Sequence, residues 1–175
     1  MMARRPGRQH YLRVAALCCA GTPAIALAAD EPASATASVA VTVLLVLVAV
    51  LLHYEALALL TRSFSMSSHP QRVRIAGLVL SIVAIHALEI GLFGFGYVLL
   101  AGETVGSGLA GGPVTGWADY FYFSATVYTT LGFGDLTPLA GLRLLTAAES
   151  ITGLVLITWS ASLTFLEMQR HWREQ

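Results

Sequence analysis

Apolar positions in this chain fall into three long runs, and polar positions gather between and around them. The runs cover 38–60, 73–101 and 141–166. Each is long enough to cross a hydrocarbon layer of about 30 Å as a helix, since an α-helix rises about 1.5 Å per residue. The pattern therefore predicts an all-α membrane protein with three transmembrane helices in a lipid bilayer.

The first thirty residues follow a different pattern. Arginines cluster in 4–13, a short apolar stretch follows at 14–20, and small residues at 24–29 precede Asp30. A basic leader, an apolar core and a small-residue cleavage site are typical of a secretory signal peptide. We predict that residues 1–29 are a cleaved signal peptide. An uncleaved membrane helix is the alternative.

Composition and charge agree with a membrane protein and argue against a nucleic-acid partner. Of the 175 residues, 56% are apolar and 11% are charged, whereas a soluble domain carries about twice that share of charge. The ten basic residues, all arginine, are matched by ten acidic residues. No overall field therefore draws the protein to nucleic acid.

The distribution of arginine predicts the orientation of the chain. Three arginines lie in the 61–74 loop, and two more follow the third run. Because cytoplasmic segments carry an excess of basic residues, this loop and a short tail at 168–175 are predicted to be cytoplasmic. Removal of a signal peptide gives the same orientation, with the mature N-terminus outside. The expected location is the inner (plasma) membrane, as a multi-pass protein.

A short aromatic stretch lies between the second and third runs, after a glycine-rich connection at 102–112 that is expected to be flexible. Residues 117–128, Trp-Ala-Asp-Tyr-Phe-Tyr-Phe-Ser-Ala-Thr-Val-Tyr, are too few to cross a bilayer and too apolar for an ordinary loop. Thr115 can cap a helix here, and Asp119 in the first turn favours the positive end of the helix dipole. We predict a re-entrant helix. An interfacial amphipathic helix and ordinary packing are the alternatives.

Directly after this helix comes 129–135, Thr-Thr-Leu-Gly-Phe-Gly-Asp. A pore that removes water from a potassium ion must offer rings of oxygen atoms, which backbone carbonyls can supply. Consecutive carbonyls face one axis only if the backbone alternates between right- and left-handed conformations, and glycine adopts the left-handed one without steric cost. Gly132 and Gly134 are therefore expected to be left-handed. The Leu131 and Phe133 side chains are expected to point away from the axis, toward the aromatic residues of the preceding helix.

This string strongly resembles the selectivity filter of the potassium-channel pore-loop superfamily, and the resemblance extends over about 73–167. Small bacterial two-helix potassium channels carry an aromatic pair and a serine in the pore helix, here at 122–124. They also carry a proline after the filter, here Pro138, and an arginine at the outer end of the inner helix, here Arg143. A glycine at which the inner helix bends is matched by Gly153.

The resemblance implies an architecture and a set of ion-binding residues. The pore domain is expected to contain an outer helix at 73–101, a pore helix at 117–128, a filter at 129–135 and an inner helix at 141–166. Four copies are expected to form a homotetramer, because one filter strand supplies only a part of each carbonyl ring. The residues expected to bind potassium are Thr130, Leu131, Gly132, Phe133 and Gly134.

Two features depart from the pattern of that family. Thr126 stands where these channels often carry a glutamate that pairs with the filter aspartate. We therefore expect Tyr122 or Thr126 to support the filter by holding Asp135 at the outer mouth. The first run, 38–60, has no counterpart in the two-helix channels and is expected to be an extra helix packed outside the pore domain.

Ionisable side chains inside the three runs form a second group of candidates. A charged side chain at the middle of the bilayer costs about 2.5–3.5 kcal/mol, so these residues are expected to face protein or water. We predict a His–Glu contact between the first two helices. A hydrogen-bonded network that docks the extra helix, a proton sensor and a metal site are the open interpretations. The group comprises His53, Glu55, His86, Glu89 and Glu149.

The third run is expected to line the inner pathway of the pore. Residues at helical spacing are assigned to its pore-facing side. The resemblance makes one of them, Gly153, the candidate hinge of the inner helix. The stripe comprises Glu149, Gly153, Ser160 and Thr164.

The sequence thus predicts a potassium-selective channel subunit that is not an enzyme. Potassium is the permeant ion, and no cofactor, small-molecule substrate or structural metal is expected. A non-selective cation channel is one alternative. A membrane metalloprotein or proton-coupled carrier using the intramembrane His and Glu residues is another, although the chain lacks a His-Glu-x-x-His pair and a second inverted half.

Overall fold

The computed structural model describes residues 32–65, 70–103 and 108–172 of the chain. Within these ranges the chain is almost entirely helical, with one pair of two-residue strands. The predicted signal peptide at 1–29 lies outside the described residues. The elements, in chain order, are α1 Pro32–Ser65, α2 Gln71–Glu103, β1 Leu109–Ala110, α3 Trp117–Tyr128, β2 Thr137–Pro138, a 3₁₀ turn Ala140–Leu142 and α4 Arg143–Trp172.

Within the described ranges, three helical segments are long and apolar enough to cross a membrane, namely Ala35–Ser63, Arg72–Gly102 and Ala140–Arg170. They are candidate membrane spans, and they contain the three apolar runs that the sequence predicts to be transmembrane helices. Their outer faces carry large apolar side chains such as Leu80 and Ile151, which are 70% and 68% exposed. Apolar surfaces of this kind mark contact with lipid or with another protein.

The last helix is longer than its apolar run. The run ends at 166, but α4 continues to Trp172. The Arg170 guanidinium lies 2.9 Å from the Glu167 carboxylate, three residues earlier, and such a pair supports a helix. Most of the predicted tail is therefore helical, because a loss of apolar character ends a membrane span without ending the helix.

The packed interior is centred on α3, the short helix. It lies against both α2 and α4. Phe123 and Tyr128 of α3 are buried in one core with Phe93 and Tyr97 of α2 and Leu145 of α4. The rings of Tyr97 and Phe123 meet edge to face, with their centroids 5.0 Å apart, a favourable aromatic geometry. Two long helices thus hold a helix that is itself too short to cross a membrane.

The extra helix, α1, packs along both α2 and α4. Leu57 of α1 is buried against Ile82 and Ile85 of α2, and Leu163 of α4 packs on the same cluster. Nearer the N-terminal end of α1, Leu45 belongs to the core around α3. The helix is therefore an integral part of the packed chain.

The two short strands join the glycine-rich connection to the segment after 129–135. They pair antiparallel, and the Leu139 amide donates a hydrogen bond of 2.9 Å to the Gly108 carbonyl. A Cβ on Gly111 would lie 2.2 Å from the Asp135 carbonyl oxygen. The part of the connection at 108–112 is therefore held against the chain. The register places Leu109 opposite Pro138 and Ala110 opposite Thr137.

Candidate ion pathway

The predicted filter, 129–135, leaves the C-terminal end of α3 as an exposed loop. Thr130, Gly132 and Gly134 have positive φ angles of 58°, 50° and 81°. Both glycines thus have the left-handed conformation that the sequence predicts, and Thr130 is a third left-handed residue that the sequence analysis missed. Every second residue from 130 to 134 is left-handed.

This alternation turns successive carbonyl oxygens toward one side of the strand, where they can line an ion path. Lack of room for a side chain is not what requires glycine at these positions, because a Cβ on Gly132 or Gly134 would meet no atom of the same chain within 4 Å. Both positions therefore require glycine for its backbone freedom and not for its small size.

Three backbone hydrogen bonds among the described residues tie the start of the loop to α3, the first from the Thr129 amide to the Ala125 carbonyl at 3.2 Å. The Thr130 amide donates to the Val127 carbonyl at 2.9 Å, and the Gly132 amide donates to the Thr126 carbonyl at 3.0 Å. Thr126 thus supports the predicted filter through its main chain.

The side chains between the left-handed positions do not pack as predicted within one chain. Leu131 is 58% exposed and Phe133 is 66% exposed, so neither is enclosed by the aromatic residues of α3. Two large apolar side chains in an exposed loop leave an apolar surface that one chain does not cover.

Asp135 at the end of the loop is held by one of its two predicted partners. The Tyr122 hydroxyl donates a hydrogen bond of 2.8 Å to Asp135 Oδ2. This bond to a carboxylate raises the pKa of the Tyr122 phenol above its ordinary value of 10.0. The Thr126 hydroxyl donates to the Phe123 carbonyl at 2.8 Å, so of the two alternatives Tyr122 is the one that holds Asp135. A threonine inside a helix readily bonds a carbonyl one turn earlier, which occupies its single hydrogen.

The start of α3 is fixed by Asp119. Its Oδ2 atom accepts hydrogen bonds from the Thr115 amide at 2.6 Å, the Thr115 hydroxyl at 3.0 Å and the Gly116 amide at 3.1 Å. These donors, the Thr115 amide first, hold the pKa of Asp119 below its ordinary value of 3.8. The residue before the helix is Gly116, so the predicted cap by Thr115 was wrong. Its hydroxyl instead binds the Asp119 carboxylate, which turns back toward the helix start.

A buried network surrounds the Glu89 carboxylate, which is fully enclosed. His53 Nδ1 lies 2.8 Å from Oε1 of Glu89, and His86 Nδ1 lies 3.0 Å from Oε2. The Tyr128 hydroxyl donates to Oε2, and Ser160 Oγ lies 3.2 Å from His53 Nε2. The network joins all four helices, and it contains the predicted His–Glu contact between the first two spans.

Glu55 does not take part in this network, although the sequence placed it there. Its side chain is exposed. Two residues correspond to about 200° of rotation around a helix, so Glu55 points away from the face on which His53 lies.

Glu149 is also fully buried, but it belongs to a separate network. Its Oε1 atom lies 2.5 Å from Ser124 Oγ, and its Oε2 atom accepts a hydrogen bond from the Tyr97 hydroxyl. Ser124 Oγ also lies 2.8 Å from the Ile90 carbonyl oxygen. This second network connects the middle of α3 to α2 and α4.

The predicted pore-facing stripe of the third span turns toward the other helices of the same chain. Glu149 and Ser160 are buried in the two networks, and a Cβ on Gly153 would lie 2.3 Å from the Tyr128 carbonyl oxygen. The assignment of these residues to the pore was therefore wrong. The stripe has a different physical basis. Gly153 allows α4 to approach α3 closely, and Ser160 lies beside the buried His53.

Tyr97 and Tyr128 are site residues that the sequence analysis missed, and Ser160 is one that it assigned to the pore. Each supplies a hydrogen-bond partner to a buried carboxylate or to the histidine beside it. The available signal was indirect. Buried polar groups are almost always hydrogen-bonded, so hydroxyl side chains within the apolar runs were candidates.

Comparison with known proteins finds a family match in the second half of the chain. Residues 85–170 match the family model described as "Ion channel", a match that includes α3, the 129–135 loop and most of α4. An "Uncharacterized membrane protein YdjJ" of Bacillus subtilis (strain 168) is 49% identical over 47 residues, which are 26% of this chain and 14% of YdjJ. The aligned region is thus a small part of that relative. No solved structure matches this chain significantly.

Proposed function

We propose that this multi-pass membrane protein is one subunit of a homotetrameric, potassium-selective channel, a proposal supported by the match of residues 85–170 to the family model described as "Ion channel". In this proposal potassium passes through a central pore lined by backbone oxygens of residues 130–134. The channel activity needs no cofactor and involves no covalent chemistry.

One observation carries the proposal, namely the alternating handedness of Thr130, Gly132 and Gly134. A strand with this alternation offers a row of carbonyl oxygens on one side, and such rows can replace the hydration shell of a potassium ion. A left-handed conformation is uncommon for non-glycine residues, so its recurrence at every second residue is unusual for an ordinary loop.

Assembly follows from the geometry of an ion path. One strand can supply only one side of an oxygen ring, so several copies must surround a common axis, and closed rotational symmetry is the usual arrangement. The exposed Leu131 and Phe133 side chains give neighbouring copies an apolar surface to cover. The number four is taken from the family that the motif resembles.

The electrostatics of α3 support a cation path. This helix ends at Tyr128, immediately before the loop. The C-terminal end of a helix carries roughly half a negative elementary charge, which would favour a cation near that end. The exposed Asp135 adds a negative charge at the proposed outer mouth and would raise the local concentration of cations.

The proposed orientation places the α1–α2 loop and the C-terminal end in the cytoplasm. The bias of arginine toward these segments supports it. In this arrangement the loop at 129–135 opens to the outside of the inner membrane. Protease protection of tags placed between α1 and α2 and at the C-terminus tests the orientation directly.

The decisive experiment is ion flux through purified protein in liposomes. We expect the reversal potential to follow the potassium gradient in mixed potassium and sodium. The Gly132→Ala variant should lose selective flux while it elutes as the same oligomer, because alanine disfavours the positive φ at this position. Gly102→Ala is the matched control, since a Cβ there meets no atom within 4 Å and no positive φ is required.

Other results would assign another function. Equal permeation of sodium and potassium would indicate a non-selective cation channel. Transport that requires a pH gradient and carries no channel current would indicate a proton-coupled carrier. Unchanged selectivity in Gly132→Ala would remove the predicted filter from the ion path.

A further inference from the structure

We propose that His53, His86 and Glu89 form a binding site for a divalent transition-metal ion of the zinc class. Their ligand atoms all lie within 4.8 Å of one another. The three residues come from α1 and α2, so the site would join the extra helix to the outer helix. It lies outside the loop at 129–135 and does not depend on the proposed ion conduction.

The donor atoms suit this class of metal. Two imidazole nitrogens and one carboxylate oxygen are a common protein ligand set for zinc, with a fourth position left for another ligand. In a tetrahedral site with metal–ligand distances of about 2.0–2.1 Å, neighbouring ligand atoms are about 3.3 Å apart. His53 Nδ1 and His86 Nδ1 lie 2.8 Å and 3.0 Å from the two Glu89 oxygens. These two spacings are a few tenths of an ångström too short for an ion, whereas the spacings across the cluster reach up to 4.8 Å, so the ligands would shift slightly around an ion at the centre.

The fourth position has a candidate within the chain. The Tyr128 hydroxyl oxygen lies 3.0 Å from His86 Nδ1 and also contacts Glu89 Oε2. It can bind the ion itself or hydrogen-bond to a water in that place. Tyr128 is the last residue of α3, so an ion here would lie beside the end of the helix that leads into 129–135.

A second layer of contacts orients the ligands. Histidines that bind metals usually donate their other ring N–H to a neighbouring oxygen, which fixes the tautomer. His53 has this arrangement, because Ser160 Oγ lies 3.2 Å from its Nε2. With the proton on Nε2, the Nδ1 atom presents a lone pair to the centre of the cluster.

The three ligands differ in burial, and their donor types determine which metals the site favours. The side chains of His53 and Glu89 are fully buried, and that of His86 is 16% exposed. His86 is therefore the ligand that reaches the surface of the chain. The charge of Glu89 offsets part of the charge of the ion, and imidazole nitrogens are donors that hard cations such as magnesium do not favour.

The test measures zinc binding to the purified, tag-free, full-length protein. We expect about one zinc ion per chain after dialysis, and cobalt(II) in its place should give the intense visible absorption of a four-coordinate site. His53→Gln and His86→Gln should weaken binding by about a factor of ten or more. Glu55→Gln is the matched control on α1, since the Glu55 side chain is exposed and lies outside the cluster, and it should bind as the wild type does.

Clear results would overturn the proposal. Absence of bound zinc in the wild type, or equal binding by wild type and His86→Gln, would leave the cluster as a hydrogen-bonded contact between helices. If His53→Gln does not fold, His86→Gln and the cobalt spectrum of the wild type decide the question. A protein that conducts potassium but binds no zinc refutes only this inference, and one that binds zinc without conducting refutes only the proposed function.

Discussion

Thr130 has the least favourable backbone conformation of the 129–135 loop. Among the described residues with positive φ, Thr130 alone is not a glycine. A left-handed conformation brings Cβ close to the following carbonyl oxygen and costs about 1–2 kcal/mol. Residues kept in such conformations cluster at functional sites, where the surrounding contacts fix them. The hydrogen bond from the Thr130 amide to α3 is one such contact, and an ion that binds its oxygens would be another.

The bond between Tyr122 and Asp135 leads to a prediction about the outer end of the loop. Tyr122→Phe removes the hydroxyl that donates to Asp135 Oδ2 and leaves the backbone of residues 130–134 unchanged. We expect the variant to alter open probability or inactivation, with little effect on the preference for potassium over sodium. Single-channel recording in bilayers measures all of these quantities.

Tyr120→Phe provides the control, because Tyr120 lies two residues earlier on α3 and its hydroxyl is not the one that binds Asp135. It should behave as the wild type does. If Tyr122→Phe changes neither gating nor preference, Asp135 acts only as a solvated charge that attracts cations to the mouth.

At the scale of elements, the start of α3 should depend on pH through Asp119. The pKa of this carboxyl is below 3.8 in the folded chain, because donors from Thr115 and Gly116 stabilise its charge. A lowered pKa contributes stability that is complete above the ordinary value and is lost as the pH falls through the folded-state value. Wild type should thus melt at a higher temperature than Asp119→Asn at about pH 6, and the difference should shrink progressively as the pH falls below the ordinary pKa of 3.8. Melting curves in detergent across this range test the effect.

The comparison needs an exposed carboxylate on another helix. Glu55→Gln, which changes an exposed acid on α1, serves as the control for removal of one negative charge. If the melting temperatures of wild type and Asp119→Asn differ by the same amount at every pH, the asparagine side chain disturbs the helix for reasons other than charge.

Gly153 gives a prediction about how α4 packs on α3. A Cβ at this position would lie 2.3 Å from the Tyr128 carbonyl oxygen, so Gly153→Ala must push the two helices apart. Overpacking of this kind costs about 1–3 kcal/mol. We expect a lower melting temperature and reduced flux, because Tyr128 directly precedes the predicted filter.

The same variant distinguishes two roles of Gly153, a close packing contact with α3 and a hinge within α4. The family resemblance makes Gly153 a hinge, although α4 runs through it as one continuous helix. If Gly153→Ala keeps the stability of the wild type and changes only gating, then the hinge explains this glycine and the contact with Tyr128 does not. Gly102→Ala is again the neutral comparison.

The ends of these helices were more predictable than the direction in which each of their faces points. The run at 117–128 predicts α3 at both ends, because composition changes sharply there. The stripe containing Glu149 and Ser160 was predicted to face a pore but faces the other helices. Periodicity identifies which residues share a face and not which neighbour that face meets. The identity of the neighbour depends on partners distant in sequence, such as Tyr97 for Glu149 and His53 for Ser160.

At the scale of the whole molecule, the loop at 129–135 has little cover within one chain. The positive φ angles at Gly132 and Gly134 could be predicted because a local steric rule determines them. The exposure of Leu131 and Phe133 could not, since it depends on what surrounds the loop. A strand whose side chains and main chain both lack cover within one chain is expected to find its contacts in other copies.

Mixing of subunits tests this expectation and counts the copies. If every copy supplies one strand to the same oxygen rings, a single Gly132→Ala subunit should disable the whole channel. Selective flux should then fall as the wild-type fraction raised to the number of subunits. An equal mixture would retain about one sixteenth of the flux for a tetramer, about one eighth for a trimer and about one quarter for a dimer.

The mixture must be prepared before the subunits assemble, so the two chains are co-expressed at several ratios and purified through a tag on each. Gly102→Ala, which introduces the same methyl group at an open position, should leave the flux independent of the ratio. A linear fall to one half in the equal Gly132→Ala mixture would mean that each chain conducts alone. Such a result would be incompatible with a pore shared between copies, because the alternating strand of one chain would then have to form a complete ion path by itself.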